Sequence, residues 1–338
     1  MANKKTGSRT FALSNPPTIA GHANVVGKKE GEGPLARYFD QINPDVTFGQ
    51  SSWEKAETAM QKQALTAALD SAGITSGDLD FLLAGDLLNQ CIGSSYAARD
   101  LSIPFFGLYG ACSTMGESLA LAALMLDGGF GRYAAAMASS HFCSAERQYR
   151  TPLEYGSQRT PTAQWTVTGA GAVILSGSGS GPYITHVTPG KIIDMGVKDT
   201  NNMGAAMAPA AYDTLSSHFR DTGHGPDYYD LIVTGDLGIL GKELLIDLFA
   251  RDGVDLSSNY DDCGVLIFDA KKQDVHCGGS GCGCSAAVLT GYLLREMKAG
   301  RWKRLLFCPT GALHSPTSAM QGESIPGICH AVVISSTL

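Results

Sequence analysis

Residues 105–126, FFGLYGACSTMGESLALAALML, decide the fold. The first five form an apolar, aromatic run of the length of a buried strand. Gly110 permits a sharp turn, and Ser113 or Thr114 can cap a helix. From Met115 the apolar residues recur at helical spacing (Met115, Leu119, Ala122, Ala123, Leu126) until Gly128 and Gly129 stop the run. Strand, turn and helix in that order place Cys112 at the positive end of a mostly apolar helix. A thiolate is stabilised there, and backbone N–H groups point at whatever binds. Such a nook suits acyl transfer, and it suits gripping an anion equally well. The plain structural alternative is a buried cysteine beside a capped helix.

Outward from this stretch, the pattern predicts a strand at 18–26 and an amphipathic helix at 53–72, with Ser51 or Ser52 as cap and Gly73 as stop. A strand at 79–84, a helix at 91–100, a strand at 133–139, a long loop and a strand at 168–176 complete the first half. The second half gives a helix at 204–219, a strand at 231–234, a helix at 241–250 and a strand at 264–268. A helix at 284–298 and strands at 304–308 and 329–335 close the chain. Residues 80–87, DFLLAGDL, recur as 230–237, DLIVTGDL. A helix followed by Gly131-Arg132-Tyr133 recurs as one followed by Gly300-Arg301-Trp302. Two matched anchors in one order imply an internal duplication of an α/β unit, with halves at 1–178 and 179–338. The join at 176–182, SGSGSGP, has a loose phosphate-loop pattern. Pro182 and an apolar strand follow it where a helix is needed, so it reads as a turn.

The 338 residues are 44% hydrophobic, enough for a large core. A net charge of −7 with no basic tract argues against a nucleic-acid surface. Glycine, at 41 residues, exceeds the usual share of ~7% and implies tight turns and close backbone approaches. Nine cysteines, an odd number without framework spacing, and an N-terminus lacking an apolar leader segment point to a reducing, cytoplasmic-type setting. No apolar run approaches the ~20 residues that span a bilayer, so membrane association is expected to go through partners.

A duplicated α/β chain with a cysteine opening the third helix of its first half resembles the thiolase and ketoacyl synthase superfamily. Longer segments, 139–172, 194–211 and 310–332 with YGACSTM at 109–115, resemble the stage V sporulation protein AD family of spore-forming Firmicutes. That resemblance implies a duplicated, five-layered α-β-α-β-α thiolase-like fold without established acyl transfer, and no cofactor. It implies binding of dipicolinate (pyridine-2,6-dicarboxylate), free or as its calcium complex. It also implies a homodimer, with the loop region 141–165 reaching across the subunit boundary. The partners would be the membrane subunits of the sporulation channel complex, at the spore inner membrane.

A thiolase-type nucleophile needs a histidine to stabilise the thiolate and a histidine or asparagine to complete the oxyanion site. By resemblance to ketoacyl synthase III, the histidine belongs at 234–237, which reads TGDL. The asparagine belongs in 282–287, which reads CGCSAA. Gly235 and Gly283 therefore stand where those side chains are expected. His224 and His276 fall on the wrong sides of their strands, whereas His141 and His314 follow strands on the pocket side.

Arg147, Arg150 and Arg159, with Gln148, Tyr149 and Gln158 among them, carry the planar, bidentate chemistry that carboxylates need. The plain alternative is that Glu146 and Arg150 form an exposed i,i+4 pair and that the others are solvated or bridge a dimer. Asp86 and Asp236, equivalent in the repeat, either face the cavity or cap the helices that follow. Asn201, Asn202 and Met203 either line the cavity or form a turn. Cys277, Cys282 and Cys284 with His276 have a C-x4-C-x-C spacing that lacks the second pair of a zinc site, so no metal is expected. The ligand contacts expected are therefore Cys112, His141, Arg147, Arg150, Arg159, Asp86 and Asn202. Three functions fit: a non-catalytic dipicolinate binder, an acyl-thioester enzyme using Cys112, and a non-binding scaffold for membrane subunits.

Overall fold

The computed structural model describes residues 4–150 and 158–338, so residues 151–157 of the arginine-bearing loop lie outside the description. Two sets of five strands carry the fold. The first holds β1 (Thr18–Gly27), β2 (Phe81–Gly85), β3 (Phe105–Gly107), β4 (Tyr133–Ser140) and β5 (Gly169–Ser176), in spatial order β1-β5-β4-β2-β3. The second holds β6 (Tyr183–Thr188), β7 (Leu231–Thr234), β8 (Tyr260–Asp262), β9 (Arg304–Cys308) and β10 (Ala331–Ser335), in order β6-β10-β9-β7-β8. The two orders are the same, and so are the directions. β2 runs parallel to β3 and β4 as β7 does to β8 and β9, while β5 and β10 run antiparallel to their neighbours. Tyr183 pairs with Thr18 and joins the two sets.

The repeated aspartates explain part of this symmetry. Asp80 Oδ2 accepts from the Arg132 and Tyr133 amides at 2.6 and 3.1 Å, tying the start of β4 to β2. Asp230 Oδ2 accepts from the Lys303 and Arg304 amides at 2.7 and 2.8 Å and does the same for β9 and β7.

Helices fill three layers around the two sheets. α1 (Trp53–Ala72) packs on β1 and β5, with α2 (Ile92–Leu101) beside it. α3 (Thr114–Asp127) lies against β2 and β4 on one side and β10 on the other. α4 (Phe142–Tyr149) follows β4. α5 (Met203–Thr222) and α6 (Gly238–Arg251) pair on the outer face of the second set. α7 (Cys282–Val288) continues through a π turn at Leu289–Leu293 into Leu294–Lys298 and packs on β4, β5 and α3. The order is α-β-α-β-α. Its middle layer must be apolar on every side, and Met115, Leu119, Ala122 and Ala123 of α3 are wholly buried. Each of the larger side chains contributes roughly 1.5–3 kcal/mol of burial. α1 starts and stops as its ends predict: Ser52 Oγ accepts from the Lys55 amide at 3.3 Å, and Gly73 closes it at φ +69°.

Several local expectations change. The stretch 264–268 is a helix, Cys263–Ile267, because Asp262 caps it by accepting from the Gly264 and Val265 amides. The long loop after β4 begins with α4, which His141 caps through Nδ1. Neither Ser113 nor Thr114 caps α3. Their hydroxyls donate back to Gly110 O and Ala111 O at 2.7 and 2.6 Å, which holds a 3-10 turn at Ala111–Ser113 instead. The strand at 329–335 is divided into Gly327–Cys329 and β10.

Candidate functional site

The turn that carries Cys112 is strained: Ala111 sits at φ +49°, a left-handed conformation that costs an alanine energy. Cys112 follows it, almost fully buried, at the floor of a cavity of about 460 Å³. One wall comes from α4 and its exit, through Ala145, Glu146, Tyr149 and Arg150. Gln158, Gln164 and Thr166 face it from the loop before β5, and Thr200, Asn201 and Met203 from the start of α5. The rim is made by Ala312, His314, Pro316 and Met320.

Cys112 Sγ lies 4.0 Å from Ser280 Oγ, which donates to Asp236 Oδ2 at 3.0 Å. The Gly281 amide donates to the same oxygen at 3.2 Å, and Thr310 Oγ1 to Asp236 Oδ1 at 2.9 Å. Burial pushes the Cys112 thiol well above its usual range, and the Asp236 charge pushes it further. Burial also raises the Asp236 carboxyl to about 7, offset in part by its hydrogen bonds with Thr310 and the Gly281 amide. Ser280 is the hydroxyl that meets the sulfur, and Asp236 stands behind it.

On the α4 wall, Arg150 donates through Nε to Glu146 Oε2, and both side chains are mostly buried. The i,i+4 pair is real but is not an exposed one. Tyr149 OH donates to Leu87 O and accepts from Tyr109 OH at 2.6 Å. His314 tilts against the Tyr149 ring at 5.7 Å, and burial lowers its pKa, which favours the neutral form.

Of the seven residues expected at the ligand, Cys112 and Arg150 line the cavity; five do not. His141 is buried with Nε2 donating to Val46 O at 2.7 Å and Nδ1 accepting from the Cys143 amide at 3.2 Å. Both ring nitrogens are used, and burial disfavours its cation. Arg147 pairs with Glu54 over the Trp53 ring and borders a separate hollow of about 290 Å³. Arg159 pairs with Asp274 and lies 4.9 Å from the Trp165 ring centroid. Asn202 caps α5, its Oδ1 accepting from the Ala205 amide at 3.3 Å, and leaves the cavity to Asn201. Asp86 is fully buried beneath α2, accepting from the Leu88 amide and from Ser94 N and Oγ. The repeat preserved both aspartates and gave them different partners. Ser280, Gln164 and Tyr109 were missed. Ser280, directly before the glycine-led start of α7, is the one whose position signalled a role.

Asp86 has an acidic neighbour, Glu57 of α1, whose carboxyl group accepts from Ser139 Oγ at 2.8 Å and Ser144 Oγ at 3.0 Å. Burial first, and Asp86 second, raise the Glu57 carboxyl from 4.5 to about 8. The fold therefore favours its protonated form. That contribution to stability is full below the unfolded value and is lost as pH rises through the folded one. Glu57→Gln is expected to gain stability relative to the parent between those values, by up to ~1.4 kcal/mol per pH unit, and then to level off. Thermal melts of both proteins across this window check it; a constant difference contradicts the buried pair.

Among the described residues no group of histidines, cysteines and carboxylates has the arrangement of a metal site. With that geometry in view, comparison places the chain. The family model for stage V sporulation protein AD matches residues 7–335. The chain belongs to that family. It is 44% identical over 330 residues to stage V sporulation protein AD of Bacillus subtilis (strain 168), covering 98% of this chain and 97% of that protein. Solved structures show the fold. OleA of Xanthomonas campestris, as its E117D variant, superposes with a TM-score of 0.63 at 17% identity, over 96% of this chain and 97% of that one. The 3-oxoacyl-[acyl-carrier-protein] synthase III of Aquifex aeolicus VF5 gives 0.59 at 13% identity, over 94% and 99%. This sporulation family member therefore has a thiolase-like α/β fold, and it sets an aspartate and a serine beside its buried cysteine.

Proposed function

We propose that the cavity binds dipicolinate and that the chain is a non-catalytic ligand-binding subunit of a sporulation uptake and release complex. The observation that carries this reading is Arg150. Its Nε is engaged by Glu146, and among the described residues no partner takes the terminal nitrogens, which form a planar fork suited to a carboxylate. Gln158 and Asn201 add neutral donors for a second carboxylate, and Tyr109, Tyr149 and His314 offer faces to a flat ring. The cavity's volume lies in the ordinary range for small-ligand sites. Equilibrium dialysis against dipicolinate and pyridine-2-carboxylate tests the reading. The dicarboxylate is expected to be retained and the monocarboxylate to bind far more weakly, since it leaves one set of donors unpaired. Equal retention of both contradicts it.

The same reading takes the working form to be a homodimer that meets the membrane through other subunits. No helix among the described residues is long and apolar enough to cross a bilayer. β3 ends the strand order of its sheet, and Phe106 and Tyr109 beside it are 47% and 43% exposed, with Tyr96 close by in sequence at 44%. An unpaired edge with aromatic cover is a template for a second strand. Light scattering is expected to give twice the chain mass, and Phe106→Glu the monomer. A parent monomer at micromolar concentration contradicts the dimer.

A further inference from the structure

We propose that Asp236 is the residue that keeps Cys112 a neutral, unreactive thiol, by placing a carboxylate, one serine hydroxyl away, where a thiolate needs a cation. The inference concerns this chain's own floor and holds whatever ligand the cavity takes. Its basis is geometric. Asp236 is wholly buried, yet three donors converge on it from two segments: Ser280 Oγ and the Gly281 amide from one, Thr310 Oγ1 from the other. The Gly281 amide can only donate and the two hydroxyls can, which favours the charged form against burial, so the carboxyl ionises above about 7. Cys112 Sγ lies 4.0 Å from Ser280 Oγ, which is 3.0 Å from Asp236 Oδ2, so Ser280 bridges the two.

The rest of the surroundings agree. The titratable groups that interact with Cys112 from neighbouring elements are Tyr109, Tyr149, Cys282 and Cys284, all neutral or negative when ionised. Asp262, fully buried at the end of β8, adds a further acidic group behind Asp236. Arg150, the arginine among the described lining residues, is paired with Glu146. The N-terminal end of α3 favours a thiolate, but its partial charge is opposed by a full carboxylate. A sulfur held this way neither attacks a thioester nor repels an anion resting above it. Asp236 is thus a positioning and charge-setting residue, and the enzymes' activated cysteine becomes a passive floor.

The test is alkylation of Cys112 by iodoacetamide in the full-length chain, read at the Cys112 peptide by mass spectrometry from about pH 7 to about pH 10. Asp236→Asn keeps the shape and removes the charge. It is expected to raise the rate at about pH 8 by tenfold or more and to move the midpoint of the pH profile down. Ser280→Ala leaves the carboxylate in place and is expected to stay slow. Equal profiles for the parent and Asp236→Asn overturn the proposal, as does an equal acceleration in Ser280→Ala, which would make access the cause. Should Asp236→Asn not fold, the parent alone decides. Its thiolate absorbance, taken as the difference from Cys112→Ser, is expected to appear well above the ~8.5 of free cysteine, and a midpoint at or below that value overturns the proposal.

Discussion

Replacing Arg150 with alanine is expected to weaken dipicolinate binding by about 30-fold to several thousand-fold, the usual ~2–5 kcal/mol for truncating one partner of a buried charge pair. The reasoning is one of supply. A helix N-terminus contributes at most ~2 kcal/mol to an anion, whereas micromolar affinity needs about 8 kcal/mol. The remainder has to come from a charged, geometrically matched donor, and Arg150 is the arginine on the described wall. Arg150→Lys keeps the charge and loses the fork, so it is expected to restore little. Arg147→Ala and Arg159→Ala act as controls. Each of those guanidiniums already holds an aspartate or glutamate away from the described lining, and each variant is expected to bind like the parent. Tryptophan fluorescence titrations of the four variants check the set. If Arg150→Ala binds as the parent does, the ligand is held elsewhere.

The second large effect concerns Gly283, where resemblance to ketoacyl synthase III leads one to expect an asparagine. Gly283→Asn is expected to cost about 3 kcal/mol or more, seen as lost soluble protein or a lowered Tm, and to bring no acyl transfer. A Cβ at Gly283 would stand 2.2 Å from Gly169 O, 2.7 Å from Ser140 Oγ and 2.8 Å from Ser140 N. Two of these are backbone atoms of central strands, which have no room to retreat. At Gly235 a Cβ would meet Pro309 Cα at 2.9 Å, so a histidine there is resisted in the same way. Adding the side chains expected by resemblance at Gly235 and Gly283 one at a time therefore breaks packing. A Gly283→Asn protein that melts like the parent contradicts this.

Legibility in the sequence followed the range of the physics involved. α1 emerged with both ends because its caps are local: a serine before it and a left-handed glycine after it. The duplication was legible because Asp80 and Asp230 each do one job that needs one residue type. α4 was hidden because its cap is a histidine, outside the usual set of capping residues, and because arginines and glutamine suggested a loop. The helix after Asp262 was hidden because a short apolar run has no period long enough to tell strand from helix.

The site was harder for a related reason. Which way a side chain points depends on its neighbours across the fold. His141 was placed correctly just past a strand, yet it turns inward to Val46 O. Arg147, Arg150 and Arg159 were equivalent as letters, and only tertiary partners separate the two already committed to acids elsewhere from the one on the cavity. Asp236 and Asp86 were matched by the repeat and are distinguished only by what surrounds each one.

Calorimetric titration of dipicolinate into the unmodified protein tests the central claim most directly. The expected result is saturable heat with one ligand per chain and a dissociation constant in the micromolar range, near −8 kcal/mol. Absence of saturable binding up to about 1 mM ligand, near −4 kcal/mol, would contradict the account.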